Sequence, residues 1–101
     1  MSKVRLEFLS WLTDTLDVKG AGDGLILEQE IKDGNTVKEL LMRVAAAYPR
    51  FSQTVFDIKS QKLSSGVRIF YNDCQLELVN GLETKLNDHD ALIFVPVIAG
   101  G

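Results

Sequence analysis

Two adjacent glycines, Gly100 and Gly101, stand at the end of the sequence, directly after the apolar run Ala91-Leu92-Ile93-Phe94-Val95-Pro96-Val97-Ile98-Ala99. Glycine has no Cβ, so a Gly-Gly segment is thin enough to thread a narrow channel into another protein's active site. A free carboxylate on Gly101 would sit on an unhindered carbon, open to a nucleotide or a nucleophile. The competing account is a frayed end that happens to be glycine, because termini tolerate almost any residue. With glycine at about 7% of residues, an accidental pair at a set position is expected about 0.5% of the time. The chemistry indicated is therefore activation of a terminal carboxylate.

No other stretch offers a catalytic constellation. There is no Ser-His-Asp arrangement and no Cys-x-x-Cys. Gly20-Ala21-Gly22-Asp23-Gly24 lacks the lysine and helix start of a phosphate loop, so these glycines read as turn residues. His89 has no second His or Cys nearby, which makes it a polar turn residue rather than a metal ligand, and no metal site is expected. Asp88 and Asp90 read as solvated carboxylates, and Cys74 as a partly buried turn cysteine rather than a redox thiol.

With 101 residues and 46% hydrophobic content, the chain has room for one domain with a real core. A net charge of −3 and the absence of a basic cluster larger than Lys59 with Lys62 argue against a nucleic-acid partner. No apolar stretch approaches a membrane span and no signal-peptide pattern opens the chain, so no membrane partner is expected. One cysteine cannot form an internal disulfide, and a reducing cytoplasm is the expected compartment.

The elements that must position the tail follow from periodicity. Val4, Leu6 and Phe8 alternate with Lys3, Arg5 and Glu7, marking a half-buried strand. Asp17 to Gly24 reads as a loop or wide hairpin turn, after which Leu25, Leu27, Gln29 and Ile31 share one face of a second strand. Thr36 with Glu39 forms a capping box that opens a helix. Its apolar stripe is Val37, Leu40, Leu41, Val44, Ala45 and Tyr48, and Pro49 ends it. Residues 50 to 66 are the least legible, with Phe51, Val55, Phe56, Ile58 and Leu63 expected to tuck under the core edge. Val67 to Tyr71 predicts a third strand, Leu76-Glu77-Leu78 a short returning strand, and Ala91 onward the last strand after the polar turn 87–90. This order suits a small α+β domain with a mixed sheet packed on one main helix, and β-grasp is one of several topologies it allows.

The segment from Asn80 to Gly101 resembles the end of MoaD-type sulfur carriers, which run through a Leu-x-Asp-Gly-Asp turn, an apolar strand, one or two prolines and Gly-Gly. The opening Val4-Arg5-Leu6-Glu7-Phe8 and the helix start Thr36 to Leu41 are similar too, so the resemblance covers most of the chain. Two positions depart from the pattern: His89 replaces the turn glycine and Val97 the second proline. If position 89 needs a positive φ, histidine carries modest strain there. The resemblance to the MoaD/ThiS family, which includes ubiquitin-related modifiers, implies a β-grasp (ubiquitin-like) domain over residues 1–97 with a flexible C-terminal tail over 98–101.

It also implies the chemistry. An adenylating enzyme of the MoeB type would use ATP to make an acyl-adenylate at Gly101, and sulfur from a persulfide protein would displace AMP to leave a thiocarboxylate. A MoaE-like large subunit would then receive the sulfur for dithiolene formation in molybdenum or tungsten cofactor biosynthesis. Gly101 would carry the reaction, Gly100 would give clearance, and Ala99 with Ile98 would enter the channel. The chain would bind no cofactor itself and act as a carrier rather than a catalyst.

Parity places Phe8, Ile69 and Phe94 in the core and Phe70, Ile93 and Val95 on the opposite face. Those three, with Pro96 and Val97, form a candidate docking patch beside the tail, unless residues 50–66 fold over that face. Trp11 is either a rim anchor or a loop residue on the core. Four functions stay in play: the molybdopterin synthase small subunit, a modifier joined to lysines, a ThiS-like carrier for thiamin or tRNA thiolation, and a plain binding module.

Overall fold

The structure is a computed structural model that describes residues 2–9 and 24–97. Strand β1 (Ser2–Leu9) and strand β2 (Gly24–Ile31) pair antiparallel over eight residues, from Ser2 with Ile31 to Leu9 with Gly24. Trp11 and the residues from Asp17 to Asp23, read above as a loop, lie outside the described residues. The main helix α1 (Val37–Ala47) begins at the expected capping box: Thr36 Oγ1 accepts from the Glu39 N–H at 3.2 Å, and Glu39 Oε1 accepts from the Thr36 N–H at 2.9 Å. Val37, Leu40, Leu41, Val44 and Ala45 are buried as the stripe requires, with Tyr48 half-buried at its end.

Tyr48 turns extended at the end of α1, and Pro49 then opens a second short helix, α2 (Pro49–Thr54). Proline suits that first position because its missing N–H would have had no helical partner. A small hairpin of β3 (Phe56–Asp57) and β4 (Lys62–Leu63) follows, its turn held by Asp57, which accepts from Ser60 Oγ and from the Lys59 N–H. Strand β5 (Val67–Tyr71) pairs with β6 (Cys74–Gln75), and the chain returns through 3-10 turns at Leu76–Leu78 and Gly81–Glu83. The strand expected at Leu76-Glu77-Leu78 is thus a 3-10 turn. Leu76 drops into the core while Leu78 and Val79 stay exposed, which no period-two strand would give.

The last strand, β7 (Ala91–Pro96), runs up the middle of a five-stranded sheet of order β2-β1-β7-β5-β6. It is parallel to β1 and antiparallel to β5, and α1 packs across one face: the β-grasp arrangement. The core centres on three rings. Phe8 and Phe94, paired across β1 and β7, stack at 4.6 Å and 7°, and Phe51 from α2 stands edge-on to both at 6.0 and 5.9 Å. Such pairs contribute about 0.5–1.5 kcal/mol each beyond area burial. The segment 50–66 therefore closes the helix side of the core and leaves the other sheet face uncovered.

Asp90 differs from its expected solvated state: only 8% exposed, it accepts from Tyr71 Oη at 2.5 Å, from Asn72 Nδ2 at 3.3 Å and from the Asn87 N–H at 2.8 Å. Burying a carboxylate is costly unless it is hydrogen-bonded in this way. Asn72 completes the clasp, its Oδ1 accepting from the Ala91 N–H at 2.9 Å. Burial first, and then its bond to Asp90, push the Tyr71 hydroxyl pKa above the ordinary value of 10.0.

Two outcomes follow. Val44→Asp places an unpaired charge under the sheet and should cost about 3 kcal/mol or more in denaturant unfolding; parent-like stability would mean the helix register is wrong. A raised tyrosine pKa stabilises the fold fully below about pH 10 and is lost as pH rises through the folded value. Melting temperature should thus fall more steeply above pH 10 in the parent than in Tyr71→Phe, which gives up about 1.5 kcal/mol at neutral pH.

Candidate functional site

The root of the tail is placed by the sheet. Pro96 ends β7 two residues beyond the last β1 partner, Phe94, and faces Val67 of β5. A proline there removes no ladder bond to β1, because that pairing has already stopped. The Val67 N–H turns instead to the Ser64 carbonyl at 3.2 Å. One residue on, the Val97 N–H donates to the Gly66 carbonyl at 2.9 Å. The chain thus leaves the centre of the sheet from a fixed point beside the Gly66 loop. Ile98, Ala99, Gly100 and Gly101 lie outside the described residues.

Of the residues expected to flank the tail, Phe70, Ile93 and Val95 share the face opposite α1, whereas Pro96 has the parity of Leu92 and Phe94 and pairs with buried Val67, so it falls on the core face. Register pairs Phe70 with Ile93, Ile93 with Glu7, Glu7 with Ile26, and Arg68 with Val95. Ile26 is 51% exposed, whereas Phe70, Ile93 and Val95 are half-buried, as is Pro96 on the core side. Val97 is 42% exposed. The patch is a row across four strands, Ile26, Glu7, Ile93 and Phe70, apolar at three positions and interrupted by Glu7 on β1, and it is bordered by Arg68 on the tail side and by Arg5 and Glu28 on the other. Alternation along β1, β5 and β7 was enough to find it; Ile26 belongs to the same row, and only the β1–β2 register reveals that.

His89 takes φ +71, the left-handed conformation that a turn glycine adopts freely. Its N–H donates to the Lys3 carbonyl at 2.8 Å and its side chain lies in solvent, with Nε2 3.3 Å from Asp88 Oδ2. The strain expected from replacing the turn glycine is thus held by a main-chain bond to β1. Among the described residues no group of three or more His, Cys, Asp or Glu side chains could hold a metal ion, and no helix is long and apolar enough to cross a membrane.

This chain therefore presents a largely apolar sheet face beside a fixed root from which the residues after Val97 continue. Known proteins resemble this chain in sequence and in fold. The model of the ThiS family matches residues 21–101. Ubiquitin-related modifier 1 homolog 2 of Arabidopsis thaliana is 30% identical over 99 residues, covering 95% of this chain and 96% of that protein. The sulfur carrier protein CysO of Mycobacterium bovis is 32% identical over 69 residues, covering 67% of this chain and 74% of that one. A Pyrococcus furiosus chain provisionally described as subunit 1 of a molybdopterin converting factor superposes with a TM-score of 0.70 at 18% identity, over 97% of this chain and all of that one, a likeness of fold alone. With the family match spanning the helix, the central strand and the Gly-Gly ending, the chain belongs to the ThiS family of ubiquitin-like sulfur carriers.

Proposed function

We propose that the chain carries sulfur as a thiocarboxylate on Gly101. The observation that carries this reading is a family match that runs through residue 101, on a chain whose last strand leads toward Gly100-Gly101 from the centre of the sheet. In the first step a Gly101 carboxylate oxygen attacks the α-phosphorus of ATP on an adenylating enzyme, and pyrophosphate leaves. A persulfide sulfur then attacks the acyl carbon and AMP leaves. A thiol reduces the resulting acyl disulfide, giving the thiocarboxylate and a mixed disulfide. The carboxylate needs this route because it is a poor electrophile, and adenylation supplies the leaving group.

For the sulfur's destination we infer a pterin precursor held by a MoaE-like large subunit, which makes this chain the small subunit of a molybdopterin synthase. The resemblance of residues 80–101 to MoaD-type carriers supports it. A second reading, a modifier joined to lysines through Gly101, is favoured by the near full-length similarity to an Arabidopsis protein named a ubiquitin-related modifier. Intact mass of the protein from its own cells separates them. Exchange of one oxygen for sulfur at a terminal Gly101 marks the carrier, and Gly101 linked to other proteins' lysines marks the modifier. A mass that continues past Gly101, or one with neither change, overturns both.

Deleting Gly101 should abolish adenylation while leaving the melting temperature unchanged, because the buried core among the described residues ends at Phe94. Full adenylation of the shortened chain would refute the assignment. Phe70→Ser or Val95→Glu should weaken binding to the adenylating enzyme more than tenfold in calorimetry, about 1.4 kcal/mol or more, with little change in the melt. Strong destabilisation with normal affinity would move the docking surface elsewhere.

A further inference from the structure

At the end of the sheet away from the tail, the uncovered face holds a cavity of about 270 Å³ lined by Lys3, Arg5, Glu28, Asp88 and His89. Alternation along β1 sets Lys3 and Arg5 side by side on this face, about 6.6 Å apart along the strand. Register sets Glu28 opposite Arg5. The polar turn between Leu86 and Ala91 supplies the end wall.

The charges here are unevenly engaged. Both oxygens of Asp88 have partners within the protein: Oδ1 accepts from the Lys3 main-chain N–H at 2.8 Å, and Oδ2 lies 3.3 Å from His89 Nε2. That main-chain bond is also the first cause holding the Asp88 carboxyl below its ordinary range. Among the described residues, the side chains of Lys3, Arg5 and Glu28 have no hydrogen-bond or ion-pair partner, although Arg5 and Glu28 are directly paired across the strands. The cavity therefore offers two unspent cations beside one unspent carboxylate, in a space of about nine water volumes.

We propose that this cavity is a binding site for a small zwitterion of the α-amino acid class, with carboxylate on Arg5 and Lys3 and ammonium on Glu28. The guanidinium fork suits a carboxylate, which it can hold through two parallel bonds. A plain dianion meets Glu28 as a like charge, whereas a zwitterion satisfies all three side chains. An amino acid with an acidic side chain would place its two carboxylates on Lys3 and Arg5 and its ammonium on Glu28, with Asp88 kept on the Lys3 main-chain N–H and His89. The site sits at the Ala91 end of β7, five residue steps or about 17 Å from Pro96, so occupancy leaves the tail root untouched.

The test is an NMR titration of the full ¹⁵N-labelled chain with L-glutamate, and in parallel with glutarate, which has both carboxylates but no ammonium, and with inorganic phosphate. L-Glutamate should shift the amides of Lys3, Arg5, Glu28 and Asp88 and bind about fivefold more tightly than glutarate or phosphate. Arg5→Gln should weaken L-glutamate about fivefold. Glu28→Gln should erase the preference for glutamate over glutarate while leaving glutarate binding equal or better. Equal or tighter binding of glutarate or phosphate to the parent overturns the proposal, as do amide shifts elsewhere in the chain or no shifts at all. The parent comparison alone decides the matter should either variant fold poorly.

Discussion

Everything in this molecule hangs on β7, the last strand of the sequence, lying between β1 and β5 rather than at an edge. To reach that position Arg5 must find Ala91 and Phe8 must find Phe94, across more than eighty residues of chain. Closing so long a loop costs conformational entropy that no local contact offsets. The stack of Phe8 on Phe94, with Phe51 edge-on to both, is a compensating interaction at that junction. Once β7 is seated, the Val97–Gly66 bond follows, and with it the place from which the tail departs.

The turn at 87–90 is the counterpart of that junction at the other end of β7. It holds β1 through the Lys3 N–H on Asp88 and the His89 N–H on the Lys3 carbonyl, and it holds β5 through Asp90 on Tyr71 and Asn72. Four residues thus tie the start of β7 to both of its neighbours. A histidine can stand at φ +71 because its main-chain N–H is engaged and its side chain points to open solvent, where no close neighbour opposes the left-handed turn.

How much of this was legible follows from the range over which each feature is specified. The helix could be read with its boundaries because its signals lie within it: Thr36 and Glu39 three apart, a stripe of period 3.6, and Pro49. Strands β1, β2 and β5 could be read because alternation is local. Asp90 could not, because its partners Tyr71 and Asn72 lie eighteen or more residues away and nothing beside Asp90 announces them. Strands β3, β4 and β6 are two residues each, too short to show any period. Leu76-Glu77-Leu78 imitates alternation over three residues, but Leu76 alone finds the core. For the candidate site, parity found Phe70, Ile93 and Val95, whereas the cavity by Lys3 and Arg5 needed the β2 register and the return of the chain through Asp88.

A sheet face that is apolar at one end and charged at the other has a physical consequence for how partners meet it. A partner docking on the row of Ile26, Ile93 and Phe70 would bind through area, which has no direction and tolerates several shapes. The charged end beside it, Arg5 and Glu28, contributes little affinity in water but penalises a partner that presents the wrong sign. On the proposed function, a carrier visiting an activating enzyme, a sulfur donor and an acceptor in turn would use that combination: one weakly selective, largely apolar row common to its partners, and a charged border that fixes their orientation. Because the border lies on strands beside β7, a partner oriented by it would meet the root of the tail at Val97 at a fixed offset along β7, and β7 itself would act as the ruler between recognition and chemistry.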